Sequence, residues 1–305
     1  MKLPGFMYRL LARGPKEGEV KARAAGGAGK VDGPIIVYNM GKVGSRSVYE
    51  TLAGLGLGVE VYHSHMLYDH DNMAELVKKR FANPAVSLAV IEQGRALKKT
   101  VDEDPDRRWS IITLVRDPVA QTVSRFFQGI EQVIPDIRGR ADSGAVGADE
   151  LMDAFSTKFP RQAALTWFER QFETVTGVDV YSRPFPVDKG YDIFRAGRFS
   201  VLVVRLEDLD RCAEAAFHEF LGIKGICLKK ANVGDEKWYR GLYREFVSRL
   251  ELPADFLDEM YGSRLARHFY SPAEIAGFRS RWAGRRPGQT GRPHGLPEHP
   301  TKGLL

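Results

Sequence analysis

The chain is poor in cysteine: Cys212 and Cys227 are its only thiols among 305 residues. Two cysteines cannot build a disulfide framework or a four-cysteine zinc site, so a reduced, cytoplasmic protein is expected. It also lacks any run of about 18 apolar residues, which argues against a membrane-spanning helix. The opening segment has no apolar signal-peptide core, because Arg9 interrupts Phe6 to Leu11. Gly and Pro stand near ordinary usage and no internal repeat occurs, so collagen-like, low-complexity and solenoid classes fall away. With 43% hydrophobic and 28% charged residues, there is material for a single substantial globular core.

The formal net charge of +6 belongs to the ends. Residues 1–33 carry +4 and residues 284–305 carry +3, leaving about −1 for residues 34–283. Duplex-binding proteins carry their basic patch on the folded domain, so no nucleic-acid partner is expected. A weak peripheral attraction of the tails to anionic lipid fits the same distribution. Residues 1–33 read as a basic N-terminal segment and linker, residues 34–283 as one α/β domain, and residues 284–305 as a disordered tail.

Within the domain, short apolar runs alternate with helical patterns. Strands are predicted at 34–39, 59–63, 110–115 and 200–206. Helices are predicted from Ser45 to Leu55, from Pro118 with Asp117 as its N-cap, and from Leu209 to Leu221. Residues 128–160 and 177–198 read as loops. Such alternation predicts a mostly parallel, doubly wound sheet.

The turn after the first strand reads Asn39-Met-Gly-Lys-Val-Gly-Ser-Arg-Ser47. Gly41 and Gly44 permit a tight turn and close approach of a ligand, while Ser45, Ser47 and the helix-opening amides make an anion cradle with Lys42 beside it. It is not a Walker A loop, since Lys42 is followed by Val43. A plain strand-helix turn with a solvated lysine is the alternative. After the third strand comes Arg116-Asp117-Pro118, with Ser124 two helical turns on, on a face shared with Gln121. In a doubly wound sheet Arg116 and Lys42 converge on one crevice, where Arg and Ser suit a dianionic phosphate. Otherwise Arg116 forms a structural ion pair with Asp117 or Glu207. Tyr62-His63-Ser64-His65 ends the second strand and places two histidines on one face. His65 reads as a general base with His63 as its support, against metal binding or plain packing. Farther on, Lys229 and Asn232 are ligand candidates, whereas Trp238, Tyr239, Leu242, Tyr243 and Phe246 have the spacing of a buried helix face. Glu207 reads as orienting Arg205 or a lysine of the crevice.

Taken together, Lys42-Val-Gly-Ser-x-Ser47 resembles the 5′-phosphosulfate loop of sulfotransferases, and Arg116-Asp-Pro with Ser124 resembles their 3′-phosphate motif. Val203-Val-Arg205-Leu-Glu207-Asp208-Leu209 is similar to the strand segment that follows in that family. The segment Asn232 to Arg240 resembles the Asn…Lys-Trp-Tyr-Ser signature of a bacterial capsular polysaccharide synthesis group. Two departures stand out: Arg240 replaces the usual Ser, and Gly41 stands where many sulfotransferases have Pro. The resemblance implies a P-loop-like fold of the sulfotransferase type. It also implies 3′-phosphoadenosine 5′-phosphosulfate as co-substrate without a metal, and a carbohydrate or glycoconjugate hydroxyl as acceptor. Gly41, Val43, Gly44, Ser45, Arg46, Ser47, Arg116, Ser124, Lys229 and Asn232 would then hold the nucleotide, and Lys42 would stabilise the leaving phosphate. The alternatives are a nucleotide-dependent kinase and a non-catalytic glycan-assembly protein of the same fold.

Overall fold

A computed structural model describes residues 31, 33–67, 73–80, 85–159, 161–229 and 237–284. Asn232 and Lys230 lie outside these residues, as do nearly all of the two basic tails.

Five strands form one mixed α/β sheet: β1 (Ile35–Tyr38), β2 (Val61–Ser64), β3 (Trp109–Val115), β4 (Tyr191–Ala196) and β5 (Phe199–Arg205). Their order is β2-β1-β3-β5-β4, parallel except for β4. Strands β1 and β3 are buried at every position, which is why they read as unbroken apolar runs rather than alternating ones. The helices include α1 (Ser45–Ala53), α2 (Met73–Arg80), α3 (Ala85–Glu103), α4 (Pro118–Gln128), α5 (Ala148–Lys158), α6 (Leu209–Leu221), α7 (Arg240–Arg249), α8 (Ala254–Tyr261), α9 (Arg264–Phe269) and α10 (Pro272–Trp282). No helix among the described residues is long and apolar enough to cross a membrane.

The segment 177–198, expected as a loop, contains β4, an antiparallel edge strand. Ala196 pairs with Phe199, so Gly197 and Arg198 form a two-residue hairpin turn, with Gly197 at φ 52°. Glycine adopts that left-handed backbone without a steric cost, and the Gly-x step between two strand-like runs was the legible sign.

Chain order reverses at β1, with β2 on one side and β3 on the other. The loops leaving the carboxyl ends of β1 and β3 therefore face each other across a crevice. The strands stop pairing at Val37 and Ile112, and a buried side chain takes over from there. Asn39 donates from Nδ2 to the Ile112 carbonyl at 3.3 Å and accepts the Leu114 amide at Oδ1. Asn39→Ala strands that amide and carbonyl without water, at a cost of about 1–3 kcal/mol. Urea titration should show a lower midpoint with an unchanged slope, the sign of lost stability rather than altered compactness.

Candidate functional site

The β1–α1 turn is held in an unusual backbone shape. Lys42 has φ 73° and Gly44 has φ 81°, so a lysine occupies the left-handed region that side chains rarely adopt. Two side chains from the opposite corner fix this turn. Gln121 on α4 donates to the Gly41 carbonyl at 2.7 Å, and Arg116 donates to the Lys42 carbonyl at 3.1 Å. Leu206, just past β5, covers Gly44 so closely that a Cβ there would stand 2.6 Å from its Cδ1.

Arg116 and Lys42 thus share one crevice. The ion pair of Arg116 with Asp117 or Glu207 does not form, because both carboxylates are committed elsewhere. Asp117, 1% exposed, accepts from the Val119 amide at 3.0 Å, the Tyr261 hydroxyl at 2.8 Å and Trp282 Nε1 at 3.1 Å. Glu207 accepts from the Asp117 amide at 2.8 Å and the Tyr270 hydroxyl at 3.0 Å, and burial raises its pKa. It does not orient Arg205, which pairs instead with Asp208 and with Glu274 at 2.9 Å. Glu207 and Asp208 lie in a single 3₁₀ turn, Leu206–Asp208, rather than on the strand. Ser124, three residues beyond Gln121 on α4, is half-buried on the helix face that meets the turn.

A third cation reaches the crevice that sequence reasoning left without a role. Lys237 lies near enough for its charge to act on the Lys42 amine. The Lys42 pKa falls from its ordinary value to about 7, first through burial, then through Lys237, and then through Arg116. Aromatic packing carries Lys237 there: the rings of Tyr239, Tyr243 and Phe246 meet Phe127 of α4 at 5.7, 5.0 and 5.2 Å. Of the aromatic series expected in the core, Phe246 is fully buried, while Trp238, Tyr239 and Tyr243 are half-buried. The Arg116 charge acts on the Tyr243 hydroxyl, whereas the Trp238 ring meets the Arg138 guanidinium at 5.8 Å.

The histidines line the β2 side. Ser45 Oγ and His63 Nε2 are hydrogen-bonded at 3.0 Å, and the rings of His63 and His65 stand edge to face at 4.7 Å. His65 Nδ1 lies 2.9 Å from the Asn39 carbonyl. A carbonyl only accepts, so Nδ1 carries the hydrogen and the Nε2 of the neutral ring keeps its lone pair. Burial, then His65, then Arg46 bring the His63 pKa down to about 3. Burial lowers that of His65 as well, with the Asn39 carbonyl opposing and the Lys42 charge assisting. Both rings are neutral at pH 7.

Other expected contributors sit differently. Val43 is wholly buried beneath the turn. Arg46 runs along the surface of α1 to Glu50 at 2.6 Å, leaving its backbone amide to the turn. Ser47 donates its hydroxyl to the Lys229 carbonyl, while the Lys229 amide donates to Thr51 Oγ1 at 2.8 Å. The Lys229 amine lies 2.8 Å from where a Cβ on Gly54 would stand, at the far end of α1 from the turn. Lys229 therefore ties the following segment to α1 through its backbone, with its charge away from the crevice. No group of three or more His, Cys, Asp or Glu able to hold a metal occurs among the described residues.

Fold and site together define an α/β protein with a cationic crevice at the carboxyl edge of a mostly parallel sheet. A sequence-family model described as "NKWYS: Putative capsular polysaccharide synthesis protein" matches residues 149–271, about two fifths of the chain. The matched segment includes Lys237-Trp238-Tyr239 and ends before α10; Lys42 and Arg116 precede it. No curated protein and no solved structure matches the chain.

Two outcomes follow from this geometry. Lys237→Met removes the largest charge acting on Lys42, so the Lys42 pKa should rise above 7 yet stay below an ordinary lysine, since burial persists. Titration of ¹³C-methylated lysine by NMR reads that shift. Lys42→Gly removes a left-handed side chain worth about 1 kcal/mol of strain, together with a crowded charge. Its thermal midpoint should therefore exceed that of the parent protein.

Proposed function

We propose that the protein is a sulfotransferase that moves a sulfuryl group from 3′-phosphoadenosine 5′-phosphosulfate to a hydroxyl of a polysaccharide or glycoconjugate. The observation carrying this reading is the meeting of Lys42, Arg116 and Lys237 in one crevice, with the neighbouring carboxylates Asp117 and Glu207 turned to buried neutral donors. Three cations with no ion-pair partner among the described residues favour a polyanionic ligand, and the opening amides of α1 add to the same field. The match to a capsular polysaccharide synthesis family supports a carbohydrate acceptor.

The co-substrate supplies an activated sulfuryl group. The acceptor oxygen forms a bond to sulfur as the bond from sulfur to the phosphate oxygen breaks, and negative charge grows on that phosphate. Lys42 and Lys237 are placed to stabilise that charge. The acceptor proton goes to a neutral base, and His65 Nε2 has its lone pair open because Nδ1–H is fixed on Asn39. Ser45 holds the His63 ring in place, edge to face beside it. The kinase alternative needs carboxylates free to carry magnesium. Asp117 and Glu207, which follow β3 and β5, are both enclosed behind the crevice.

In a transfer assay with radiolabelled sulfate and a panel of glycans, Lys42→Ala should lose about 10²–10³ in rate while keeping its fold. Activity near that of the parent protein removes Lys42 from the chemistry. Binding itself should depend on pH. Free Lys42, at about pH 7, is charged below that value and neutral above it, whereas a bound polyanion requires it charged. Affinity for adenosine 3′,5′-bisphosphate should therefore be flat below pH 7 and fall by up to tenfold per unit above it, with uptake of one proton. Calorimetry in two buffers of different ionisation heat measures that uptake. Pooled Lys42→Met protein should lose both the uptake and the slope.

A further inference from the structure

A cavity of about 650 Å³ lies away from Lys42, between the segment leading into β4 and the α9–α10 junction. Its floor is apolar, formed by Phe185, Val187 and Tyr270, and Ser182 and Ser271 stand on its rim. Arg183, Arg267 and His268 also line it, and no carboxylate does. Arg183 is oriented by Asp192, to which it donates from Nε and Nη2 at 2.9 and 2.8 Å. Arg267 is exposed and pairs with no described carboxylate. The buried Nε2 of His268 has no partner. An apolar floor beneath a rim of hydroxyls and guanidinium groups matches a sugar ring, which has a C–H face and a hydroxyl edge. Arg267, exposed and without a described carboxylate partner, adds a preference for carboxylate-bearing sugars.

The cavity also lies on the productive edge of the sheet. Strand β4 is antiparallel, so the segment entering it meets the carboxyl end of β5, beside Leu206 and Glu207. Tyr270, in the cavity floor, bonds Glu207, and Glu207 bonds the amide next to Arg116. Three strand spacings separate β4 from β1, about 14 Å. An extended polymer reaches across that distance, and a single sugar or small alcohol does not.

We propose that this cavity is a glycan subsite. It holds a segment of an acidic polysaccharide several sugar units from the hydroxyl presented at Lys42. Its role as an acceptor subsite rests on the transfer reaction proposed above, whereas glycan binding does not. The test is calorimetry on the full chain with graded oligogalacturonides, malto-oligosaccharides of equal length and polyglutamate, each alongside adenosine 3′,5′-bisphosphate. The parent protein should bind the longer oligogalacturonides in preference to both other probes. Arg267→Glu should weaken that binding at least about tenfold, the loss expected of a charge-assisted contact. Ser182→Trp, at an exposed rim position, should block it while leaving nucleotide affinity and the thermal midpoint unchanged. The proposal is overturned if no oligogalacturonide binds, if both variants bind it like the parent, or if malto-oligosaccharides or polyglutamate bind as well. Oligogalacturonide binding without nucleotide binding supports the subsite and overturns the transfer reaction instead.

Discussion

The site depends on a separation of charge across one layer of the protein. Asp117 and Glu207 follow the ends of β3 and β5, where either could have neutralised Arg116. Both are instead directed behind the crevice, where Tyr261, Tyr270, Trp282 and backbone amides satisfy them with neutral donors. Arg205, the buried cation of that layer, takes Asp208 and Glu274. Asp117, Glu207, Asp208 and Glu274 thus have partners, and on the crevice side Lys42, Arg116 and Lys237 form no ion pair with a described residue. At close range in a partly screened interior, two like charges repel by several kcal/mol, about 4 at 4 Å. Burial first, and then that repulsion from Lys237 and Arg116, lowers the pKa of Lys42, and a bound polyanion would relieve the repulsion.

Such an arrangement has to be imposed by parts that do not mind the charge. The hydrophobic layer of β1, β3 and β5 fixes where the two loops emerge, and Asn39 holds β1 to β3 after the ladder has ended. The turn itself is set by side chains that bond its carbonyls, Gln121 to Gly41 and Arg116 to Lys42. With those carbonyls occupied and φ positive at residue 42, the lysine is committed to a strained conformation. Strain of that kind persists only where the surroundings over-determine it. Arg116 acts in both capacities: its guanidinium braces the loop and also contributes to the field the loop creates.

What could be read from sequence divides by range. The strands β1, β3 and β5, the cap at Asp117-Pro118 and the helix Leu209–Leu221 rest on local rules, namely burial on both faces, capping chemistry and helical spacing, and the structure has them. The meeting of Lys42 and Arg116 followed from topology, since a reversal of strand order brings those two loops together. Strand β4 was missed because Tyr191–Ala196 is an edge strand without a continuous apolar run; its sign was the Gly197 turn. The destination of Glu207 was out of reach for a different reason. Its partner Tyr270 lies 63 positions away, and no local pattern encodes which of several donors a buried carboxylate will find. Lys237 was obscured by its own surroundings, because an aromatic helix face reads as core whether or not one edge of it opens on a crevice.

That last case bears on how the chain divides its work. Residues 149–271 match the capsular polysaccharide synthesis family, and neither Lys42 nor Arg116 lies within them. The matched part nonetheless supplies Lys237, the Leu206 side chain that seals the Lys42 turn, the Tyr261 hydroxyl that keeps Asp117 from Arg116, and most of the cavity beyond β4. The N-terminal part carries the strained turn and the clamp. The later part decides whether those cations stay unpaired. Substituting Tyr261 or Trp282 should therefore disturb the crevice without touching a ligand, because an Asp117 carboxylate released from its buried donors is free to turn toward Arg116 and supply the counter-charge that a bound anion would otherwise bring.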